Sequence, residues 1–118
     1  MPIPSRVLGS GVNSLSTVSI CGDGVSGLTA TGTTAADALQ LTYVYNYVTT
    51  VAANTGVKLA TTENGELIVV ANGGANTLKV YPQTGSTIDG AASKSISASK
   101  SGIFVAVSLT AWISILGA

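Results

Sequence analysis

The sequence predicts an all-β fold: an antiparallel β-sandwich of jelly-roll type, preceded by an extended N-terminal arm. Three observations point there. The chain carries 14 Ser and 15 Thr in 118 residues, and hydroxyl-bearing and β-branched residues favour strands and turns over helices. In the clearest segment, residues 39–51, Leu39, Leu41, Tyr43, Tyr45, Tyr47 and Val51 share one parity. A period of two is the periodicity of a strand. Short apolar runs then recur at roughly the eight-to-twelve-residue spacing of sandwiches, jelly rolls and barrels, separated by Gly- and Asn-bearing turns.

Taken in order, residues 1–20 are rich in Pro, Gly, Ser and Val and lack periodicity, as expected of an arm that orders against something else. Residues 21–118 form the β domain. Its first part, 21–38, is a turn-dense connector in which Ala35 to Leu39 could make one helical turn capped by Thr34. After the 39–51 strand, Asn54-Thr55-Gly56 turns the chain and Val57-Lys58-Leu59 is a short strand. Glu63-Asn64-Gly65 is a hairpin signal, because Asn-Gly readily takes positive φ. Glu66 to Ala71 has no polar face after Glu66 and reads as a central strand. Asn72 to Asn76 turns again, Thr77 to Tyr81 alternates, and Pro82 ends that strand. Residues 83–95 are a polar loop anchored by Ile88, with a short strand at Ile96 to Ala98. Ile103 to Val107 and Trp112 to Leu116 are the last two strands. No internal repeat is evident. The expected core is Leu41, Val57, Leu59, Leu67, Val69, Leu78, Val80, Ile103, Val105, Val107, Trp112 and Leu116.

Charge is scarce. Five basic and five acidic residues make 8% of the chain and leave no net charge, against about a quarter in ordinary soluble domains. A neutral surface is unsuited to nucleic acid or anionic membrane, both of which attract basic proteins. So little charge also protects poorly against self-association, so part of the surface is expected to be covered by partners. His is absent, which removes the commonest general base and metal ligand and with them Ser-His-Asp and Cys-His catalysis. A single cysteine, Cys21, cannot close an internal disulfide. No signal peptide is expected, because no continuous apolar run follows Arg6. Val18-Ser19-Ile20-Cys21 departs from a lipoprotein site at Ile20. The apolar stretch 103–118 is shorter than the ~20 residues a spanning helix needs and carries Ser108, Thr110 and Ser114.

Several motifs resolve into ordinary structure. Gly22-Asp23-Gly24-Val25-Ser26-Gly27 has dinucleotide-loop spacing, but Leu28 to Thr34 lacks the amphipathic helix whose N-terminus would hold a pyrophosphate. The acids Asp23, Asp37, Glu63, Glu66 and Asp89 are scattered, so neither a glycosidase pair nor a calcium loop is expected. Tyr43, Tyr45 and Tyr47 form a one-face aromatic stripe suited to a core or a subunit interface. Lys58, Lys79, Lys94 and Lys100 read as solubilising or edge-guarding charges. No catalytic residue, metal ligand, cofactor or small-molecule substrate is expected.

Leu28 to Thr34, Val48 to Leu59, Asn72 to Pro82, Ile88-Asp89-Gly90 and a closing strand with Trp112 form a series that resembles small β-rich virion proteins of tailed bacteriophages. The resemblance spans roughly residues 17–116, and one loop departs from it, at Ala60-Thr61-Thr62-Glu63. It implies a capsid decoration or cement protein, often trimeric, on the outer surface of the phage head. Its partners would be copies of itself and the major capsid protein. The arm would tie down the shell through Ile3, Arg6, Val7, Leu8 and Val12, adding extended main-chain contacts. Subunits would meet through Tyr43, Tyr45, Tyr47 and Tyr81. Related modules also occur in head fibres and tail appendages, which makes host-surface or glycan attachment the alternative.

Overall fold

The computed structural model describes residues 10, 11, 13 and 23–117. The arm contacts Ile3, Arg6, Val7, Leu8 and Val12 lie outside the described residues, as does Cys21. The described chain is all-β. Its strands are β1 Gly24–Thr29, β2 Leu39–Gln40, β3 Tyr45–Thr50, β4 Gly56–Lys58, β5 Leu67–Asn72, β6 Leu78–Tyr81, β7 Thr87–Ile88, β8 Lys94–Ile96, β9 Ser101–Ala106 and β10 Ala111–Leu116. They form a six-stranded sheet, β1-β3-β5-β9-β10-β7, and a four-stranded sheet, β2-β4-β6-β8.

The antiparallel jelly roll is not what forms. The chain steps from the large sheet to the small one and back, so that β1, β3 and β5 stack in parallel, as do β2, β4 and β6. This is a short β-solenoid of three coils. Leu39 pairs with Val57, 18 residues on, Gly24 with Tyr45, 21 on, and Tyr45 with Val69, 24 on. Parallel neighbours need a crossover, and here the strand of the opposite sheet supplies it. The turn signals therefore make corners between sheets instead of hairpins. At Glu63-Asn64-Gly65 the chain turns, with Gly65 at φ 86° and Glu66 N–H donating to Glu63 C=O, but it carries the chain from β4 to β5 in different sheets. The coils also hold a weak repeat that composition concealed. Ala53-Asn54-Thr55 recurs 22 residues later as Ala75-Asn76-Thr77. Each triplet leads into a strand of the small sheet, β4 and β6. Beyond the third coil the direction reverses. β8 runs antiparallel to β6 and β9 to β5, β10 folds back on β9, and β7 pairs in parallel with β10.

Local differences have local causes. The 39–51 segment splits into β2 and β3, with Leu41 buried between them. In the 21–38 connector, β1 runs through the glycine-rich motif, with Gly27 at φ 76° where the β1–β3 register shifts. A strand there presents no helix N-terminus to a phosphate. At 34–38 the chain makes the expected single turn and no longer helix: Ala38 N–H donates to Thr34 C=O at 3.1 Å, and the Asp37 carboxylate accepts from the Thr34 N–H at 2.9 Å and from its hydroxyl at 2.8 Å.

The core lies between the sheets and includes Leu41, Val48, Val57, Leu59, Ile68, Val70, Leu78, Val80, Ile88, Ile96, Phe104 and Trp112. Of the expected core, Leu41, Val57, Leu59, Leu78, Val80 and Trp112 are buried. Leu67, Ile103, Val107 and Leu116 are exposed, and Val69 and Val105 are half-buried. In β5 and β9 the buried parity is the other one: Ile68, Val70 and Asn72, and Gly102, Phe104 and Ala106. A strand that is apolar on both faces gives the period-two pattern nothing to choose between, and an error of one residue exchanges the faces. Asn72 fixes the choice in β5. Its side-chain amide donates to Asn76 C=O at 2.8 Å and Ile96 C=O at 3.0 Å, and its oxygen accepts from Gly74 N–H. These are the partners a buried polar group needs.

Candidate functional site: an uncharged outer sheet face

The inverted parity of β5 and β9 places Leu67, Val69, Ile103 and Val105 together on the solvent side of the large sheet. Register pairs Tyr45 with Val69, Val69 with Ile103, and Ile103 with Ile115. A second row runs from Leu67 to Val105 to Ile113, and Tyr47 pairs with Ala71. Cross-strand partners share a face, so four adjacent strands present one continuous apolar surface. Tyr45 is 50% exposed, Tyr47 47%, Ile113 44% and Ile115 61%. The outward positions of β3, β5, β9 and β10 carry no Asp, Glu, Lys or Arg. At one end of this surface Ser101, Gly102, Ile103, Ile115, Leu116 and Gly117 line a groove of about 300 Å³. Gly102 leaves the space Leu116 fills, since a Cβ there would lie 2.7 Å from the Leu116 side chain.

The four tyrosines part company. Tyr45 and Tyr47 stand on the outer face of β3, and Tyr43 is 39% exposed just before it. Tyr81 does not belong to an exposed interface. It is 8% exposed, packed across Gly56, and its hydroxyl donates to Thr33 C=O at 3.2 Å. The turn after β1 thus covers it, a long-range contact that strand periodicity does not encode. Trp112 is also buried. Its Nε1–H donates to the Thr62 hydroxyl at 2.9 Å, and the Thr62 and Ser86 hydroxyls are 2.9 Å apart.

The small sheet differs. Its outward positions include Lys58 and Lys79, both half-buried. Near Lys79, a shallow 220 Å³ depression is lined by Ala53, Asn54, Asn76 and Thr77 at stacked corners of the second and third coils. Among the described residues, no group of three or more His, Cys, Asp or Glu side chains is placed to hold a metal ion.

One polar cluster braces the edge of the large sheet. Asp89, at φ 52°, accepts from Ser114 N–H at 3.1 Å and from the Ser114 hydroxyl, and its carboxylate lies 3.1 Å from Lys94 Nζ. The Ser114 hydrogen bond, helped by Lys94 and opposed by partial burial, holds the Asp89 carboxyl below its ordinary value. A depressed folded pKa contributes stability above the unfolded value, and that contribution disappears as pH falls through the folded one. Asp89→Asn is therefore expected to lower Tm at pH 7. The difference from wild type should shrink once pH drops below 3.8, the ordinary value. Melting curves across pH 2–7, the interval spanning that titration, check this. A constant difference at every pH would refute the linkage.

No known family matches the chain, and neither a curated protein nor a solved structure matches it.

Proposed function

We propose that this chain is a structural assembly protein of a phage particle, a decoration protein that joins copies of itself and the capsid shell. The observation that carries the assembly reading is the uncharged apolar face of the large sheet. An apolar patch larger than a few hundred Å² is unusual on a monomer and marks an interaction surface. The phage assignment rests on the motif resemblance. Low charge and a stiff two-sheet core with few charged side chains suit a component that works by being covered. The N-terminal residues Ile3, Arg6, Val7, Leu8 and Val12 would add shell contacts, and many weak contacts multiplied over copies bind tightly by effective concentration.

A second reading, a head-fibre or tail-fibre module, is favoured by the exposure of Tyr43, Tyr45 and Tyr47, because aromatic faces stack on sugars. Co-sedimentation with purified capsids separates the two. The full chain is expected to pellet with capsids, and a chain lacking residues 1–12 is expected to fold and stay in the supernatant. Equal pelleting of the truncated chain would remove the arm from the proposal. Failure of the full chain to pellet, together with glycan-array binding abolished by Tyr45→Ala, would favour the fibre reading.

A further inference from the structure

Resting on the assembly reading, we infer that the outer face of the large sheet is covered by the same face of a second copy, packed across a twofold axis. Three features argue for that occupant.

The first is area. From their exposed fractions, Tyr45, Tyr47, Leu67, Ile103, Ile113 and Ile115 with their half-buried neighbours leave roughly 600–800 Å² accessible, close to the ~800 Å² per partner of a standard stable interface. The second is charge. A partner recognised electrostatically would need charged groups on this face, and its outward strand positions have none. A copy of the same face brings no like charges together and leaves no ion unpaired. The third is symmetry. A patch that meets itself closes by a twofold, whereas a ring of three needs two different complementary surfaces on each copy. The outer face of the small sheet carries Lys58 and Lys79 and is no match for an apolar surface. Two sheets meeting this way would pack about 10 Å apart with their side chains interleaved. The groove between Ile103 and Ile115 offers a recess for a partner side chain.

The test is the native mass of the full chain by light scattering. The expected result is twice 11.7 kDa at micromolar concentration. The Ile113→Lys/Ile115→Lys variant is expected to keep its far-ultraviolet circular dichroism and cooperative melt while its dimer dissociation constant rises ~100-fold or more, as for the loss of central interface anchors. The Ile113→Glu/Ile115→Glu variant should behave alike, and an equimolar mixture of the two should recover the dimer. Lys58→Glu, on the other sheet, should leave the dimer unchanged. If the double variants do not fold, Ile115→Ser, at the most exposed of these positions, carries the same comparison. A monomer up to millimolar concentration, a trimer, or a folded Lys variant that stays dimeric would overturn the inference. A dimer that fails to bind capsids would leave this inference standing and remove the capsid function. A monomer that binds capsids through this face would do the reverse.

Discussion

Trp112→Ala is expected to destabilise the fold by about 3–5 kcal/mol, the range for emptying a large aromatic site in a packed core. Trp112 is 1% exposed and sits where β10 meets both β9 and β7, paired with Ala106 on one side and Ile88 on the other. Ala106 and Ile88 are too small and too fixed by their own strands to fill the space, so most of the cavity would remain. The indole also anchors a polar chain. Without Nε1–H the buried Thr62 hydroxyl loses its donor and keeps only Ser86. A buried group deprived of a partner adds to the cost. Against a typical total stability of about 5–15 kcal/mol, the variant should melt much earlier or fail to fold. Chemical denaturation of the two proteins measures the difference. Trp112→Phe, which keeps most of the volume but loses one ring and the donor, should fall between them. A loss under about 1 kcal/mol for Trp112→Ala would mean that the side chain is not in the core.

How much was legible follows from which signals are local. Strand existence was: β4, β5, β6, β9 and β10 lie within a few residues of the apolar runs that announce them, and Ile88 anchors its loop as β7. Turn chemistry was legible too, since Asn54 and Gly65 adopt the positive φ their residue types favour. Topology was not. A Gly- or Asn-bearing corner looks the same whether the next strand returns beside the last or crosses to the other sheet, and only main-chain pairing between residues about twenty apart decides it. The coils differ in length and share little beyond the Ala-Asn-Thr corners, so the repeat is weak in sequence. The tyrosine stripe correctly placed Tyr45 and Tyr47 on one face, because Asn46 between them and Val48 just beyond are buried. Asn46 itself is held inside by its amide, which donates to Tyr43 C=O at 2.9 Å. The rest of the outer face was hidden because its strands are apolar on both sides.

That ambiguity makes two neighbours in β9 a decisive pair. Phe104→Lys is expected to unfold the protein, and Ile103→Lys to leave it folded. Phe104 is fully enclosed, between Ile68 and Ser114 in register. Replacing it removes a core aromatic, at about 3–5 kcal/mol, and places an ammonium in the core, where the nearby Asp89 carboxylate, held by the Ser114 hydroxyl, is already paired with Lys94. Even after relaxation, an unpaired buried charge costs several kcal/mol more, so the sum matches or exceeds the stability of a typical domain. Ile103, one residue earlier, points to the opposite side and is 37% exposed. A lysine there can lay its stem along Val69 and Ile115 and keep its charge in water, at a cost on the order of 1 kcal/mol or less. Circular dichroism and a thermal melt of each variant read the contrast directly. Were the order reversed, β9 would face the other way, and the outer surface of the large sheet would no longer be apolar. The same pair ties fold to function. A surface that tolerates Ile103→Lys in the folded chain yet loses its association with it is one whose apolar character is kept for contact and not for folding. The period-two pattern of an isolated strand cannot make that distinction, because burial in the core and burial under a partner select the same residues.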